Sequence, residues 1–203
     1  MKVALIGASG RVGSRLATEL LRRGHQVTGI VRKPGEIAAR PGMTVKQGDA
    51  TNASALAAVI AGHDAVISAS RFQTSDPKAL LAALRSANVS RLLVVGGAGS
   101  LAVAPGKALM NATDFPEAFK AEATAGAKFL EALRQEHDLD WTFLSPSANF
   151  APGERTGTFR LGGDELLVDA NGKSWISMED FAIAMVDELE NPRHRARRFT
   201  VGY

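Results

Sequence analysis

Lys2-Val-Ala-Leu-Ile-Gly7-Ala-Ser-Gly10-Arg-Val-Gly13 opens the chain. Its apolar run ends in glycine, the pattern of a short strand buried on both faces. From Arg11 onward, Val12, Leu16, Leu20 and Leu21 recur at helical spacing until Gly24 stops the helix. Between strand and helix the glycines have the spacing GxxGxxG. Gly7 leaves the strand in a turn that a side chain would obstruct. Gly10 lets backbone approach a pyrophosphate, and Gly13 lets the helix pack near the strand. Free N–H groups at the helix start, aided by the helix dipole, suit phosphate. A glycine triplet also fits a tight turn with no ligand. Its place between a buried strand and an amphipathic helix points to a dinucleotide site made of Gly7, Ser9, Gly10, Arg11, Val12 and Gly13.

Working outward, residues 26–31 read as a second strand, broken by Lys33-Pro-Gly35. An acid at its end would bond the 2′-hydroxyl of NAD, whereas an arginine accommodates the 2′-phosphate of NADP. The chain has Val31-Arg32-Lys33 there, so NADP(H) is favoured over NAD(H). Arg32 is expected to fork onto the phosphate, with Arg11 directed to the same place. Residues 43–47 form a weaker third strand, followed by Gly48-Asp49. Asn52 or Ser54 caps an alanine-rich helix ending near Ala61. Residues 64–69 are a fourth strand, Asp76-Pro77 starts a helix, and residues 91–95 are a fifth strand ending in Gly96-Gly-Ala-Gly99. A long helix covers about Phe115 to His137, and residues 140–144 are a sixth strand.

This alternation implies an α/β, doubly wound parallel sheet with helices on both faces. After Pro146, glycines punctuate short segments. Thr158–Leu161 and Leu166–Val168 read as small strands or hairpins over the sheet edge. Met178–Leu189 is helical with Ser177 as cap, and Phe199–Val201 is a last strand. Residues 1–203 are expected to form one dinucleotide-binding domain, with 147–177 a small substrate-side extension.

Two readings stay open for the small and polar residues at the strand ends. Asp49 either accepts from an adenine amino group or satisfies local backbone. Ser68, Ala69, Gly96 and Gly97 either leave room for ribose and nicotinamide or admit helix packing.

Hydrophobic residues make up 45% of the 203 residues and charged residues 22%, as in an ordinary globular protein. With no cysteine, disulfides, thiolate metal sites and cysteine nucleophiles are excluded. Against 21 Asp+Glu stand 24 Lys+Arg, a net +3 that argues little for nucleic acid. No apolar run reaches the roughly 18 residues of a spanning helix, and no charged leader precedes the first strand. A soluble cytoplasmic protein without a membrane partner is expected, as monomer or homodimer.

Several of these stretches resemble one family. They are Val3-Ala-Leu-Ile-Gly-Ala-Ser-Gly-Arg-Val-Gly13, Gly48-Asp49, Val94-Val-Gly-Gly-Ala-Gly-Ser-Leu101 and Leu139-Asp-Trp-Thr-Phe-Leu-Ser-Pro-Ser147. Together they are similar to the atypical short-chain dehydrogenase/reductases, in the subgroup labelled NADH-flavin reductases. That subgroup is related to NmrA-like and biliverdin-reductase-B-like proteins. The similarity continues through Pro152-Gly-Glu-Arg-Thr-Gly157 and Ile176-Ser-Met-Glu-Asp180. It implies a Rossmann sheet of order 3-2-1-4-5-6-7. It also implies that Asp49 and Ala50 lie by the adenine, that Ser68, Ala69, Ser70 and Gly97 line the cofactor, and that Pro146 lies near the nicotinamide.

Carbonyl-reducing relatives protonate the developing alkoxide through Tyr-x-x-x-Lys. The one tyrosine here is Tyr203, and the motif's usual positions fall near Ala123 and Ala127. A positioned proton donor contributes about 10²–10⁴-fold in rate, so ketone or alcohol chemistry is disfavoured. Flavin reduction escapes the objection, because the reduced ring takes its other proton from solvent. The sequence therefore points to NADPH-dependent hydride transfer to a flavin, quinone or similar conjugated acceptor, with flavin as substrate and not prosthetic group. The rival is a catalytically silent NADP(H)-binding sensor of NmrA type. His25, His63, His137 and His194 lack ligand spacing, so no metal is expected. Ser145 and Ser147 stand in no nucleophile elbow. Arg193-His-Arg-Ala-Arg-Arg198 reads as a solvated loop. Phe143 reads as core, and Phe150 as the better candidate for an acceptor pocket.

Overall fold

The computed structural model describes every residue except Ala39, and every side chain except those of Ala39 and Glu36. In chain order the strands are β1 (Lys2–Ile6), β2 (Gln26–Val31), β3 (Met43–Gln47), β4 (Ala65–Ser68), β5 (Arg91–Val95), β6 (Ala102–Ala104), β7 (Lys107–Ala108), β8 (Asp140–Pro146), β9 (Asn149–Ala151), β10 (Arg160–Gly162), β11 (Trp175–Ser177) and β12 (Arg197–Gly202). The helices are α1 (Arg11–Arg22), α2 (Ala53–Ile60), α3 (Pro77–Ser86), α4 (Glu117–Arg134) and α5 (Met178–Glu190).

The main sheet runs β3-β2-β1-β4-β5-β8-β12-β10. The first seven strands in that row are parallel, so the expected order 3-2-1-4-5-6-7 is present, with β8 and β12 as sixth and seventh. β1 reads as a continuous apolar run because alternate residues serve two covered faces. Val3 and Leu5 join a core with Leu16 and Leu20 of α1 and with Phe181 and Met185 of α5. Ala4 and Ile6 join the opposite core, with Leu56 of α2, Leu80 and Leu84 of α3, and Phe129 and Leu133 of α4. Two buried layers of this kind supply the main driving force for the fold.

The caps explain where the helices start. Of the two candidates for α2, Asn52 is the cap, accepting from Ala55 N, while the Ser54 hydroxyl donates to Asn52. Asp76 caps α3 and Ser177 caps α5. Such a bond contributes about 1 kcal/mol.

The structure departs from the sequence reading in several places. The short strand expected at 158–161 is present as β10, but it starts two residues later and joins the main sheet as an eighth, antiparallel edge strand. Leu166–Val168 is not a strand; only the neighbouring Glu165 bridges, to Ala102. The long helix starts at Glu117 rather than Phe115, after the Pro116 cap, and ends at Arg134 short of His137. The sixth strand runs on to Pro146, because β12 continues to pair with it as far as Val201↔Pro146. A β6–β7 hairpin that the sequence did not suggest follows β5. Beyond β8, β9 pairs in parallel with β11. Among the described residues no helix is long and apolar enough to cross a membrane.

Candidate functional site

The strand order reverses between β1 and β4, where ligands of open α/β sheets bind beyond the carboxyl ends of the strands. A cleft of about 500 Å³ lies there. Gly7, Ser9, Gly10, Arg32, Asp49, Ala50, Ala69 and Ser70 line it, joined by Gly48, Thr51, Arg71 and Thr74.

The glycine turn is held by backbone. Gly7 N donates to Ile30 O at 2.9 Å, and Gly10 N donates to Gly7 O at 3.0 Å. Gly7 has φ +81°, and a Cβ there would meet Ala69 O at 2.8 Å. A side chain at Gly7 is therefore excluded both by conformation and by the β4 wall. Gly10 is the N-cap of α1, with no side-chain cap bond and no acid in the first turn. The helix start thus keeps unsatisfied N–H groups and an uncompensated positive dipole end, and the first helical residue is Arg11. Those groups fit a phosphate.

Asp49 shows the local role the sequence had left open: its Oδ1 accepts from Thr51 N at 2.9 Å and Thr51 Oγ1 at 2.8 Å. The backbone and hydroxyl bonds from Thr51, with Arg32 nearby, hold its carboxyl below the usual range. Oδ2 has no partner among the described residues, so an adenine amino group remains compatible with it. The strand-end glycines divide. A Cβ on Gly96 would lie 2.4 Å from Phe143 Cε1 and 2.8 Å from Leu144 O, so that glycine serves packing. A Cβ on Gly97 would find its nearest neighbour at 3.9 Å, so that position has room.

Six expected residues are not brought into this cleft. Gly13 sits behind the turn against Gly7, and half-buried Val12 packs on the core. Arg11 is exposed on α1, outside the lining. Ser68 is only 4% exposed within β4. Gly97 and Pro146 stand beyond β5 and at the end of β8, farther along the sheet. The sequence reading does not include Thr51, Arg71 or Thr74; for the last two, nothing in the sequence says that the segment after β4 turns back over the glycine loop.

The structure places the expected acceptor-pocket residue outside the lining of the glycine-turn cleft. Phe150 packs its ring on Phe181, with centroids 4.7 Å apart, because β9 folds back against α5. Phe143 is core, 1% exposed. Ala123 lies against Gly99, and Gly126 on the same helix lies under Phe72. Tyr203 is tied up elsewhere: its hydroxyl lies 2.6 Å from Asp180 Oδ2 and 2.9 Å from Ser177 Oγ. Burial, then the Asp180 contact, push its pKa up, away from proton donation near neutral pH.

The basic run 193–198 is not a plain solvated loop. Arg198 is buried in β12 and pairs with Asp164 and Ser100, Arg195 pairs with Asp140, and His194 Nδ1 lies 2.8 Å from Glu188. Carboxylates from three other segments converge on it. A second hollow, about 530 Å³, adjoins this network at the opposite edge of the sheet. Its Arg134, Asp164 and Arg198 already satisfy one another, which makes the glycine-turn cleft the better site. Among the described residues no group of three or more His, Asp or Glu could hold a metal.

Known proteins show the family to which this fold and cleft belong. The NAD(P)H-binding family matches residues 7–192, from the first glycine of the turn to the end of α5 and slightly beyond. The chain belongs to this family. The Bacillus subtilis protein YwnB is 39% identical over 209 residues, covering 99% of this chain and 98% of its own. A Burkholderia pseudomallei structure, provisionally named an exported protein, is 46% identical with a TM-score of 0.91 and covers 100% of both chains. A Streptococcus pneumoniae structure, provisionally named an NADH-flavin reductase, is 36% identical with a TM-score of 0.84, covering 100% of this chain and 99% of the other. The family and its relatives fit an atypical short-chain dehydrogenase/reductase.

Proposed function

We propose that this protein is an NADPH-dependent oxidoreductase that delivers hydride to a flavin, a quinone or a similar conjugated acceptor. The observation that carries the cofactor choice is Arg32 on the cleft wall at the end of β2, with no acid at that strand end. The guanidinium has no ion-pair partner among the described residues and is free to take the 2′-phosphate. The uncapped start of α1 takes the pyrophosphate, and Asp49 with Ala50 borders the adenine.

When bound, the nicotinamide supplies a hydride, which carries two electrons and one proton. The residues of this chain orient the two rings and keep water from the transfer path. No side chain needs to move a proton, because a flavin or quinone takes its second one from solvent. That demand matches Ala123, Ala127 and the engaged Tyr203. The relation to the Streptococcus pneumoniae protein supports a flavin as the first acceptor to try. A reducing cytoplasm suits the cysteine-free chain and completes the proposal.

The test is a titration with NADPH and NADH followed by nicotinamide fluorescence, then addition of FMN, riboflavin or a quinone to the saturated complex. Tight NADPH binding and rapid loss of the signal are expected. Tight binding with a signal that persists across all acceptors would replace the reductase with the sensor reading.

A further inference from the structure

Arg71 follows β4 on the rim of the cleft, and its main chain is pinned on both sides. Arg71 O accepts from Thr74 Oγ1 at 3.2 Å and from Ser75 Oγ at 2.8 Å. The next two N–H groups, of Phe72 and Gln73, donate to the Glu122 carboxylate of α4 at 2.7 and 3.2 Å. The Phe72 ring is wedged between Phe129 and Phe143, with centroids 5.3 and 5.9 Å away.

The guanidinium of Arg71, by contrast, has no hydrogen-bond or ion-pair partner among the described residues. Arg15, Arg23, Arg91, Arg155 and Arg198 all have carboxylate partners. A fixed backbone carrying a free cationic head suits capture of an anion, because only side-chain freedom is lost on binding.

Its position says which anion. In the sheet, β1 lies between β2 and β4, so Arg32 and Arg71 flank the β1 glycine turn from its two sides. The β4 segment that carries Arg71 touches that turn: a Cβ on Gly7 would meet Ala69 O at 2.8 Å and Ser70 N at 3.3 Å. We infer that Arg71 is a clamp for the pyrophosphate of the dinucleotide, closing from the β4 side over phosphates held at the start of α1, and that it serves NADPH and NADH alike. This rests on the cofactor reading of the cleft. It assigns the two arginines separate tasks, Arg32 selecting the cofactor and Arg71 holding it.

Calorimetry on the full chain separates these tasks. The ligands are NADPH, NADH and adenosine 2′-monophosphate, and the proteins are wild type, Arg71→Gln, Arg71→Lys and Arg32→Gln. Arg71→Gln is expected to weaken NADPH and NADH by the same factor, about tenfold for one lost charge-assisted contact on an exposed side chain. It should leave adenosine 2′-monophosphate unchanged, and Arg71→Lys should recover part of the loss. Arg32→Gln should weaken NADPH and adenosine 2′-monophosphate while sparing NADH. Weakening of NADPH alone by Arg71→Gln would move Arg71 to the 2′-phosphate, and no weakening of either would leave it a solvated side chain; both results overturn the clamp. Wild-type protein that binds neither dinucleotide would overturn the cofactor reading itself. Matching thermal melts of the variants keep loss of folding distinct from loss of binding.

Discussion

Gly13 stands so close to Gly7 that a Cβ built on Gly13 would lie 2.0 Å from the Gly7 carbonyl oxygen. The Cβ position is fixed by its own backbone and the carbonyl oxygen belongs to main chain, so neither can swing aside. Gly13→Ala must therefore push α1 away from β1 or distort the turn. The expected cost is about 1–3 kcal/mol of stability, the range for overpacking a tight site. NADPH affinity should fall with it, because the helix start no longer faces the cleft. Urea unfolding and a fluorescence titration of the same preparation check both.

On the proposed reading, Arg32 selects NADPH over NADH. Arg32→Glu replaces the phosphate fork with a carboxylate suited to a ribose 2′-hydroxyl. The NADPH:NADH affinity ratio is expected to drop by about tenfold or more. An unchanged ratio would show that the 2′-phosphate is read elsewhere.

Glu19, 3% exposed, joins α1 to the segment after β9. Burial pushes its carboxyl up, but hydrogen bonds from Arg22, Arg155 and Arg23 outweigh that and hold it well below the ordinary value of 4.5. A carboxyl with a lowered folded pKa contributes stability that is complete above its unfolded value and is lost as pH falls through the folded one. Glu19→Gln is thus expected to cost about 1–3 kcal/mol at neutral pH. The difference from wild type should shrink as pH is lowered below 4.5. Urea midpoints of both proteins across that acid range measure it.

Tyr203, the lone tyrosine, serves structure in this arrangement. Tyr203→Phe removes the bond to Asp180 and Ser177, at an expected cost of about 1 kcal/mol. Because the folded pKa is raised, that contribution is full below the ordinary value of 10.0 and declines as pH rises past it. Turnover with a flavin or quinone should be unchanged, pH profile included. A large loss in kcat with an altered profile would make Tyr203 a proton donor after all.

Much of the architecture was legible along the chain. Strand and helix alternate, and the helices carry local start signals such as Asn52, Asp76 and Ser177, whose cap bonds reach only two or three residues ahead. The glycine turn was legible for the same reason: its three glycines answer to one another within seven residues. Short strands were harder to read. β10 has three residues, and its pairing with β12 some forty residues later is what makes it a strand. Leu166–Val168 is the more apolar of the two but has no partner strand, and it stays irregular. The packing of Phe150 was not legible because nothing nearby in sequence reveals that Phe181 comes to meet it.

By itself the sequence determined the parallel α/β class, the glycine turn, the arginine at the end of β2 and the lack of a tyrosine–lysine pair. These depend on residue type at short spacing, where backbone geometry leaves few choices. Tertiary structure alone decided which side chains face one another across the cleft. It set Arg71 opposite Arg32 by placing β1 between β2 and β4. It fixed the Arg71 segment through Glu122, some fifty residues away, and occupied Tyr203 with Asp180. Contacts of that kind arise when sheet order and helix packing bring distant segments together, and only the folded sheet specifies both.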